Sequence, residues 1–279
     1  MANRILVLGD ICVDVNYYGN VHKISPEAPI PIFSIESKEE IPGMSGNVIR
    51  NLEAAGNEVI SYTKDNFEYP TTKKNRYYAG KHYLYRIDED NTDELSKMEK
   101  SLLLRFIKSN KDVNAVILQD YNKGFFTEEF IQEIIKAIRN YNPKAVIIAD
   151  GHKSRGSSFY CGVDYLKVNQ SEYNKLFPKR NDYKILKTIG ENGAVLMRKD
   201  YEDYHVQHRV DNVVDVTGAG DTFVSWFTSE LAKGETEEWA MDIACIAAGE
   251  SVKHLGCYAP TFEEFSHNVH LLLAAKNES

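Results

Sequence analysis

Nine residues in the last third of the chain, Asp215-Val216-Thr217-Gly218-Ala219-Gly220-Asp221-Thr222-Phe223, combine a carboxylate with a run of nearly bare backbone. Two glycines flank an alanine, so consecutive N–H groups can approach a ligand with almost no side chain in the way. Glycine also permits the φ > 0 geometry that turns such groups into an anion-binding concavity. Phe223, Phe227 and Leu231, with Trp226 alongside, have helical spacing, and Lys233-Gly234 reads as the stop. The glycines then sit at a helix N-terminus, where unpaired N–H groups and the dipole favour phosphate. Asp221 falls in the first turn of that helix, and a carboxylate beside a held phosphate suggests a base that takes a proton from an attacking hydroxyl. Read alone, the same residues are equally a glycine-rich turn with a capping aspartate.

The elements that would hold such a centre run through the chain. Residues 5–8 are a continuous apolar run, the mark of a strand buried on both faces in a parallel sheet. Gly9-Asp10-Ile11-Cys12-Val13-Asp14 follows, placing Asp10 and Asp14 just beyond the strand's carboxyl end, where open α/β sheets bind ligands. Either could accept hydrogen bonds from a polyol, and either alone is more commonly a turn or cap residue. A second glycine-rich entry, Pro42-Gly43-Met44-Ser45-Gly46-Asn47, precedes Val48, Ile49, Leu52 and Ala55 at helix spacing, with Gly56 as the stop. The Asn47 amide can both donate to and accept from sugar hydroxyls. A tight turn ahead of a core helix explains those residues equally well.

From Asp93 the pattern is regular. Leu95, Met98, Leu102, Leu103, Phe106 and Ile107 predict a helix, residues 115–118 a strand, Thr127 the cap of a second helix, and residues 145–149 another strand. This is a βαβ unit with a parallel sheet. The strands end in polar residues: Gln119-Asp120-Tyr121-Asn122-Lys123-Gly124, Asp150-Gly151-His152-Lys153 and, after a strand at 165–168, Asn169-Gln170-Ser171-Glu172. A strand at 185–189 turns through Gly190-Glu191-Asn192-Gly193 into another at 194–197, and a helix at 236–254 and a last short helix close the pattern. Two stretches differ. Residues 17–41 carry β-branched residues interrupted by Pro26, Pro29 and Pro31, which suits short or edge strands, and residues 73–88 are rich in tyrosine. They predict a small sheet set apart from the main domain, serving as a lid or as a surface that joins two copies, because exposed aromatic strands need a partner.

A chain of 279 residues can bury a full core, and 33 basic against 41 acidic residues, a net charge of −8, argue against a nucleic-acid partner. Cys12, Cys161, Cys245 and Cys257 are scattered without a C-x-x-C pair, as expected of reduced thiols in a cytoplasmic protein. The chain runs into its first strand without a charged leader, and no apolar run approaches the roughly 18 residues of a membrane span. No G-x-G-x-x-G follows the first strand, no G-x-x-x-x-G-K-[ST] occurs, and no histidine pair has zinc spacing, so Rossmann, P-loop and zinc chemistries are disfavoured.

The Gly218-Ala219-Gly220-Asp221 run resembles the carboxy-terminal signature of the ribokinase (PfkB) family of carbohydrate kinases. Val7-Leu8-Gly9-Asp10, Ile24-Ser25-Pro26-Glu27-Ala28-Pro29-Ile30-Pro31 and Pro42-Gly43-Met44-Ser45-Gly46-Asn47 are most similar to the heptose-7-phosphate kinases of ADP-heptose synthesis. Asp120-Tyr121-Asn122-Lys123-Gly124 and Asn169-Gln170-Ser171-Glu172 resemble that subgroup's internal motifs. The resemblance implies a ribokinase-like three-layer α/β sandwich over residues 1–279, with a mostly parallel central sheet and a β lid at about 15–41 and 72–88. It implies Asp221 as base, with the amides of Gly218, Ala219 and Gly220 holding phosphate. Asp14, Gly43 and Asn47, with Asp10 and Asp120, would hold the sugar. Arg76, Arg86 or Lys123 could pair with a sugar phosphate. Asn169 and Glu172 would organise Mg²⁺ and ATP phosphates through water, and Thr188, Gly190, Gly193 and Gly249 would border the nucleotide. Asp215 would approach a monovalent cation such as K⁺.

The sequence departs from the family pattern in four places. Residues 59–63 run almost directly into the lid stretch, the interval from Glu172 to Thr188 lacks an evident helix, Gly43-Met44-Ser45-Gly46-Asn47 carries a bulkier side chain than the usual Gly-Gly-x-Gly-Asn, and Asp150-Gly151-His152 replaces a more usual Asp-Pro-Lys. No nucleotidyltransferase domain is evident after the kinase pattern. The expected activity is ATP-dependent phosphorylation of a sugar hydroxyl, with a heptose 7-phosphate as the leading acceptor. A catalytically silent sugar- or nucleotide-binding relative, or a kinase for another sugar or nucleoside, are the competing readings.

Overall fold

The computed structural model describes residues 3–176, 183–208 and 210–277. Its main sheet follows the apolar runs: β1 (Arg4–Gly9), β4 (Glu58–Thr63), β7 (Ala115–Gln119), β8 (Val146–Asp150), β9 (Tyr165–Asn169), β10 (Lys184–Thr188), β11 (Ala194–Met197) and β12 (Tyr204–Val206). They lie in the order β12-β11-β10-β9-β8-β7-β1-β4. β4 through β10 pair in parallel across β1, β7, β8 and β9, whereas β10–β11 and β11–β12 are antiparallel.

Side-chain alternation decides which layer each strand residue joins. Along β1, Leu6 and Leu8 enter one buried cluster, and Ile5 and Val7 enter another. The first cluster is closed by α2 (Lys97–Ser109) and α3 (Glu128–Tyr141), through Leu103, Ile107, Phe130, Ile131 and Ile134. The second is closed by α1 (Ser45–Ala54), α5 (Ala219–Lys233), α6 (Glu237–Ser251) and α7 (Phe262–Asn277). The result is helix–sheet–helix, the expected three-layer architecture. Helix ends follow local chemistry: Thr127 Oγ1 accepts from Phe130 N at 3.3 Å, and Gly234 stops α5 at φ 88°.

The second sheet has the order β3-β2-β5-β6, with β2 (Ile11–Ile24), β3 (Pro31–Met44), β5 (Thr72–Ala79) and β6 (His82–Glu89). Here the expectation of short or edge strands divides: β3 is an edge strand, but neither β2 nor β3 is short. β2 and β3 are each 14 residues long and pair antiparallel almost throughout. Pro26 and Pro29 fall in the connection between them and Pro31 opens β3, positions where a missing N–H costs no ladder bond. The lid therefore spans 11–44 and 72–89 rather than 15–41 and 72–88, and Asp14 is a lid-strand residue. Tyr17, Tyr77 and Tyr85 stack across three of its strands with centroids 4.7 Å apart at each step.

Two further expectations change. Residues after β9 form a seven-residue helix, α4 (Gln170–Leu176), where no helix was evident; the rest of that interval, 177–182, lies outside the described residues. The last helix, α7, is 16 residues long rather than short, because its alternating polar residues mask the Phe265 and Val269 face that packs inward.

Candidate active site

The site is assembled at the carboxyl ends of β1, β7, β8 and β9, where α5 begins. Gly218 precedes α5 in the left-handed region at φ 80°, and a Cβ there would lie 2.6 Å from Asn47 Nδ2. A Cβ on Gly220 would lie 2.7 Å from Lys167 Nζ. Gly218 is thus favoured by the turn as well as by a close neighbour, and Gly220 by the close approach of Lys167. The first helical bond of this end runs from Thr222 N to Gly218 O at 2.9 Å, so the N–H groups of Gly220 and Asp221 lie ahead of the helical ladder. Gly218, Ala219 and Gly220 are only half-buried, leaving this cradle reachable.

Asp221 is 4% exposed and receives three neutral donors. Asn47 Nδ2 donates to Oδ2 at 3.1 Å; Gln119 Nε2 and the Tyr121 hydroxyl donate to Oδ1 at 3.0 and 2.8 Å. Asn51 holds Asn47 in turn, donating to its backbone carbonyl at 2.9 Å. Burial pushes the Asp221 carboxyl up to about 6 and nearby Asp150 adds to the rise, against the opposing pull of Asn47, Lys167 and Tyr121. A carboxylate with a proton affinity near neutrality, beside a cradle of N–H groups, is arranged to accept a proton from a hydroxyl next to a bound phosphate.

Lys167 is the one charged residue in the apolar β9 and is 6% exposed. Its ammonium donates to both oxygens of Asp150, at 2.9 and 3.0 Å, and Gln119 bridges Asp150 to Asp221, donating 3.1 Å to the former. Burial opposes the lysine's charge, but Asp150, Glu172 and Asp221 outweigh it and hold Lys167 above its ordinary pKa. A permanent cation is therefore lodged beside the Gly220 backbone.

Asp14 and Asn47 converge on the same region, and Asp14 is 3% exposed. Arg76, from the neighbouring lid strand, donates to Asp14 Oδ1 at 2.7 Å, and the Cys257 thiol donates to Oδ2 at 3.1 Å. A Cβ on Gly43 would fall 2.4 Å from the same Oδ2, which explains the glycine.

The sequence pattern of the pfkB family carbohydrate kinases matches residues 91–264. The chain belongs to this family. Similarity extends to the protein named bifunctional protein HldE of Psychromonas ingrahamii, 31% identical over 303 residues covering 91% of this chain and 61% of the relative, and to that of Vibrio atlanticus, 32% identical over 316 residues, 95% and 63%. The chain thus spans a little over three-fifths of the length of these relatives. Among solved structures, phosphofructokinase-2 from Escherichia coli in complex with potassium shares the fold at TM-score 0.74 and 14% identity, covering 96% of this chain and 98% of that one. Ribokinase from Thermotoga maritima does so at TM-score 0.72 and 19% identity, covering 95% and 99%.

Several expected residues of this pfkB-family kinase are placed differently from a simple ring around the substrate. Asp10 is fully buried and accepts from the backbone N–H groups of Tyr121, Lys123 and Phe125 at 2.9, 3.0 and 3.2 Å. It anchors the loop after β7, and burial pushes it up to about 6 despite those bonds. Gly9 lets this happen: a Cβ there would sit 2.1 Å from the Gln119 carbonyl. Asp120 is clasped by Arg155 through Nε at 2.9 Å and Nη2 at 3.1 Å, and by the Tyr160 hydroxyl at 2.8 Å. Of the cations expected to meet a sugar phosphate, Arg76 is paired with Asp14, Arg86 with Asp88 at 2.7 Å, and Lys123 with Asp90 at 2.5 Å.

Of the residues expected to border the nucleotide, Asn169 and Glu172 cap α4 reciprocally: Asn169 N donates to Glu172 Oε2 at 2.7 Å and Glu172 N to Asn169 Oδ1 at 2.9 Å. Thr188 ends β10, and Gly190 and Gly193 adopt φ 59° and 83° in the turn beyond it. A Cβ on Gly193 would lie 1.9 Å from the Val206 carbonyl, so strand packing alone demands that glycine. The space over Gly249 is taken by His208, 2.6 Å from a Cβ there, and Val210. Asp215 accepts from the Thr217 N–H and hydroxyl at 2.9 and 2.7 Å and from Gly256 N at 3.0 Å.

The half-buried cradle with Lys167 behind it fits an anionic phosphate. Among the described residues no three His, Cys, Asp or Glu side chains converge to cage a metal. Cavities of about 500 and 390 Å³ lie elsewhere, the larger at the amino ends of β8, β9 and β10. Among the described residues no helix is long and apolar enough to cross a membrane.

Sequence reasoning missed Gln119, Tyr121, Lys167, Asp150 and Arg155 as individual site residues. Lys167 had a usable signal, a lone charge within an apolar strand. Arg155 had none, standing in a loop 35 residues from its partner.

Proposed function

We propose that this chain transfers the γ-phosphoryl group of ATP to the anomeric hydroxyl of a heptose 7-phosphate. The buried Asp221, aimed by three neutral donors beside the glycine cradle, carries the kinase reading. The acceptor hydroxyl gives its proton to Asp221 as its oxygen bonds to the γ-phosphorus and the bond from that phosphorus to the bridging oxygen breaks, releasing ADP, and the N–H groups at the start of α5 hold the charge on the phosphoryl oxygens. Phosphoryl transfer has a loose transition state, so positioning and charge neutralisation do most of the work. Asp14 and Asn47 hold sugar hydroxyls, with Gly43 leaving room for them. Glu172, with Asn169, would hold Mg²⁺, which would neutralise charge on the ATP phosphates, and Asp215 would border a monovalent cation.

The heptose assignment rests on the run from Ile24 to Pro31 and on similarity to proteins named HldE. The exposed lid residues Ile24, Ile30, Ile35, Tyr83, Tyr85 and Ile87 support pairing of two copies through the lid. A panel of sugars and sugar phosphates, incubated with ATP and Mg²⁺ and read by ADP release, tests the function. Turnover is expected on heptose 7-phosphate above all others. Preference for a different sugar overturns the heptose assignment, and no turnover on any member overturns the kinase.

A further inference from the structure

Tyr121 lies between the lid and Asp221. Its backbone N–H is pinned to Asp10 and its hydroxyl donates 2.8 Å to Asp221 Oδ1. Over its ring lies the ammonium of Lys74, 5.0 Å from the centroid, on lid strand β5. Among the described residues Lys74 makes no ion pair, so the ring is its partner. A cation on the ring face withdraws electron density from the phenol and makes its O–H a stronger donor. The other two donors to Asp221 are amides, from Asn47 on α1 and Gln119 on β7.

We propose that Tyr121 and Lys74 are positioning residues through which the lid sets the proton affinity of Asp221. Tyr121 supplies the hydrogen bond, and Lys74 adjusts its strength from the lid. The proposal rests on the reading of Asp221 as the proton acceptor. The other ionisable groups facing Asp221 are Asp150 and Lys167 from β8 and β9, Cys12 from β2 and Cys257 from beyond α6. Burial pushes the Cys12 thiol up to about 12 and raises Cys257 as well, so both stay neutral while Asp221 titrates. Asp150 and Lys167 are tied to each other and do not touch the lid cation.

The test is a carboxyl-carbon NMR titration of Asp221, its signal identified by its loss in Asp221→Asn. Tyr121→Phe removes one donor to the charged form, so the titration should move up by roughly one pH unit. Lys74→Met should move it up by less. In the Tyr121→Phe background Lys74→Met should add nothing, since the hydroxyl it acts through is gone. An unchanged titration in Tyr121→Phe, or the same Lys74→Met shift in both backgrounds, would overturn the proposal. Should Tyr121→Phe fail to fold, an unmoved titration in Lys74→Met would by itself overturn the proposal. The acid limb of kcat should shift in the same order with little change in KM. A wild-type protein inert toward every sugar would remove the kinase reading while leaving the titration result standing.

Discussion

Asp221, at the edge of the main sheet, and Asp14, in the lid, are both nearly inaccessible carboxylates, yet the molecule treats them in opposite ways. Asp14 is given a full guanidinium, Arg76, at 2.7 Å. Asp221 is given only neutral donors, while the nearest ammonium, Lys167, is spent on Asp150. The difference teaches how a fold separates holding from reacting. A carboxylate locked to arginine keeps its place, and suits a fixed hydroxyl acceptor. One supported by amides and a phenol keeps a raised proton affinity, here about 6, and can exchange a proton near neutral pH.

The largest effect that would break this comparison concerns the base. Asp221→Asn should lower kcat by roughly 10²–10⁴-fold while the protein still binds sugar, because geometry is kept and proton acceptance is lost. Turnover at the wild-type rate would show that Asp221 is not the acceptor.

Removing the lid carboxylate should act on stability instead. Asp14→Ala leaves Arg76, 6% exposed, as a buried charge without its partner. A loss of about 3–5 kcal/mol in urea unfolding is expected. Asp221→Asn should show no such loss, and equal destabilisation of the two variants would erase the distinction between them.

The smallest and most discriminating effect is in the pH dependence. The folded-state value for Asp221, about 6, lies above the ordinary 3.8, so the folded protein holds that proton more tightly than the unfolded chain. The stability Asp221 contributes is therefore present at low pH and is lost as pH rises from about 4 through about 6. Asp10 is raised similarly but is common to both proteins, so it cancels in a comparison. The melting temperature of Asp221→Asn should gain on that of the wild type across this window, and parallel curves would contradict the raised affinity.

Much of this was legible in the chain because it is local. Gly218 to Asp221 announce a helix start, and Gly234 its end, through backbone preferences that depend on few neighbours. The apolar runs at β1, β7 and β8 declare strands covered on both faces, and so a layered α/β fold. The lid was less readable. Prolines suggested short or edge strands; β3 does lie at the sheet edge, but its ladder with β2 is long because Pro26 and Pro29 fall outside it. Candidate cations were equally ambiguous: Arg76, Arg86 and Lys123 have the right chemistry for a phosphate, and only the fold shows that each already faces an aspartate.

The sequence by itself determined the glycine–aspartate motif, most of the order of strands and helices, and the convergence of polar residues at strand ends, since these follow from side-chain periodicity and turn chemistry within a few residues. Tertiary structure alone decided which groups touch Asp221. Asn47, Gln119 and Tyr121 stand 174, 102 and 100 residues away along the chain. Nothing in their local sequence encodes that meeting; it arises because parallel strands bring their carboxyl ends to one edge, where burial favours the pairing of polar side chains with one another.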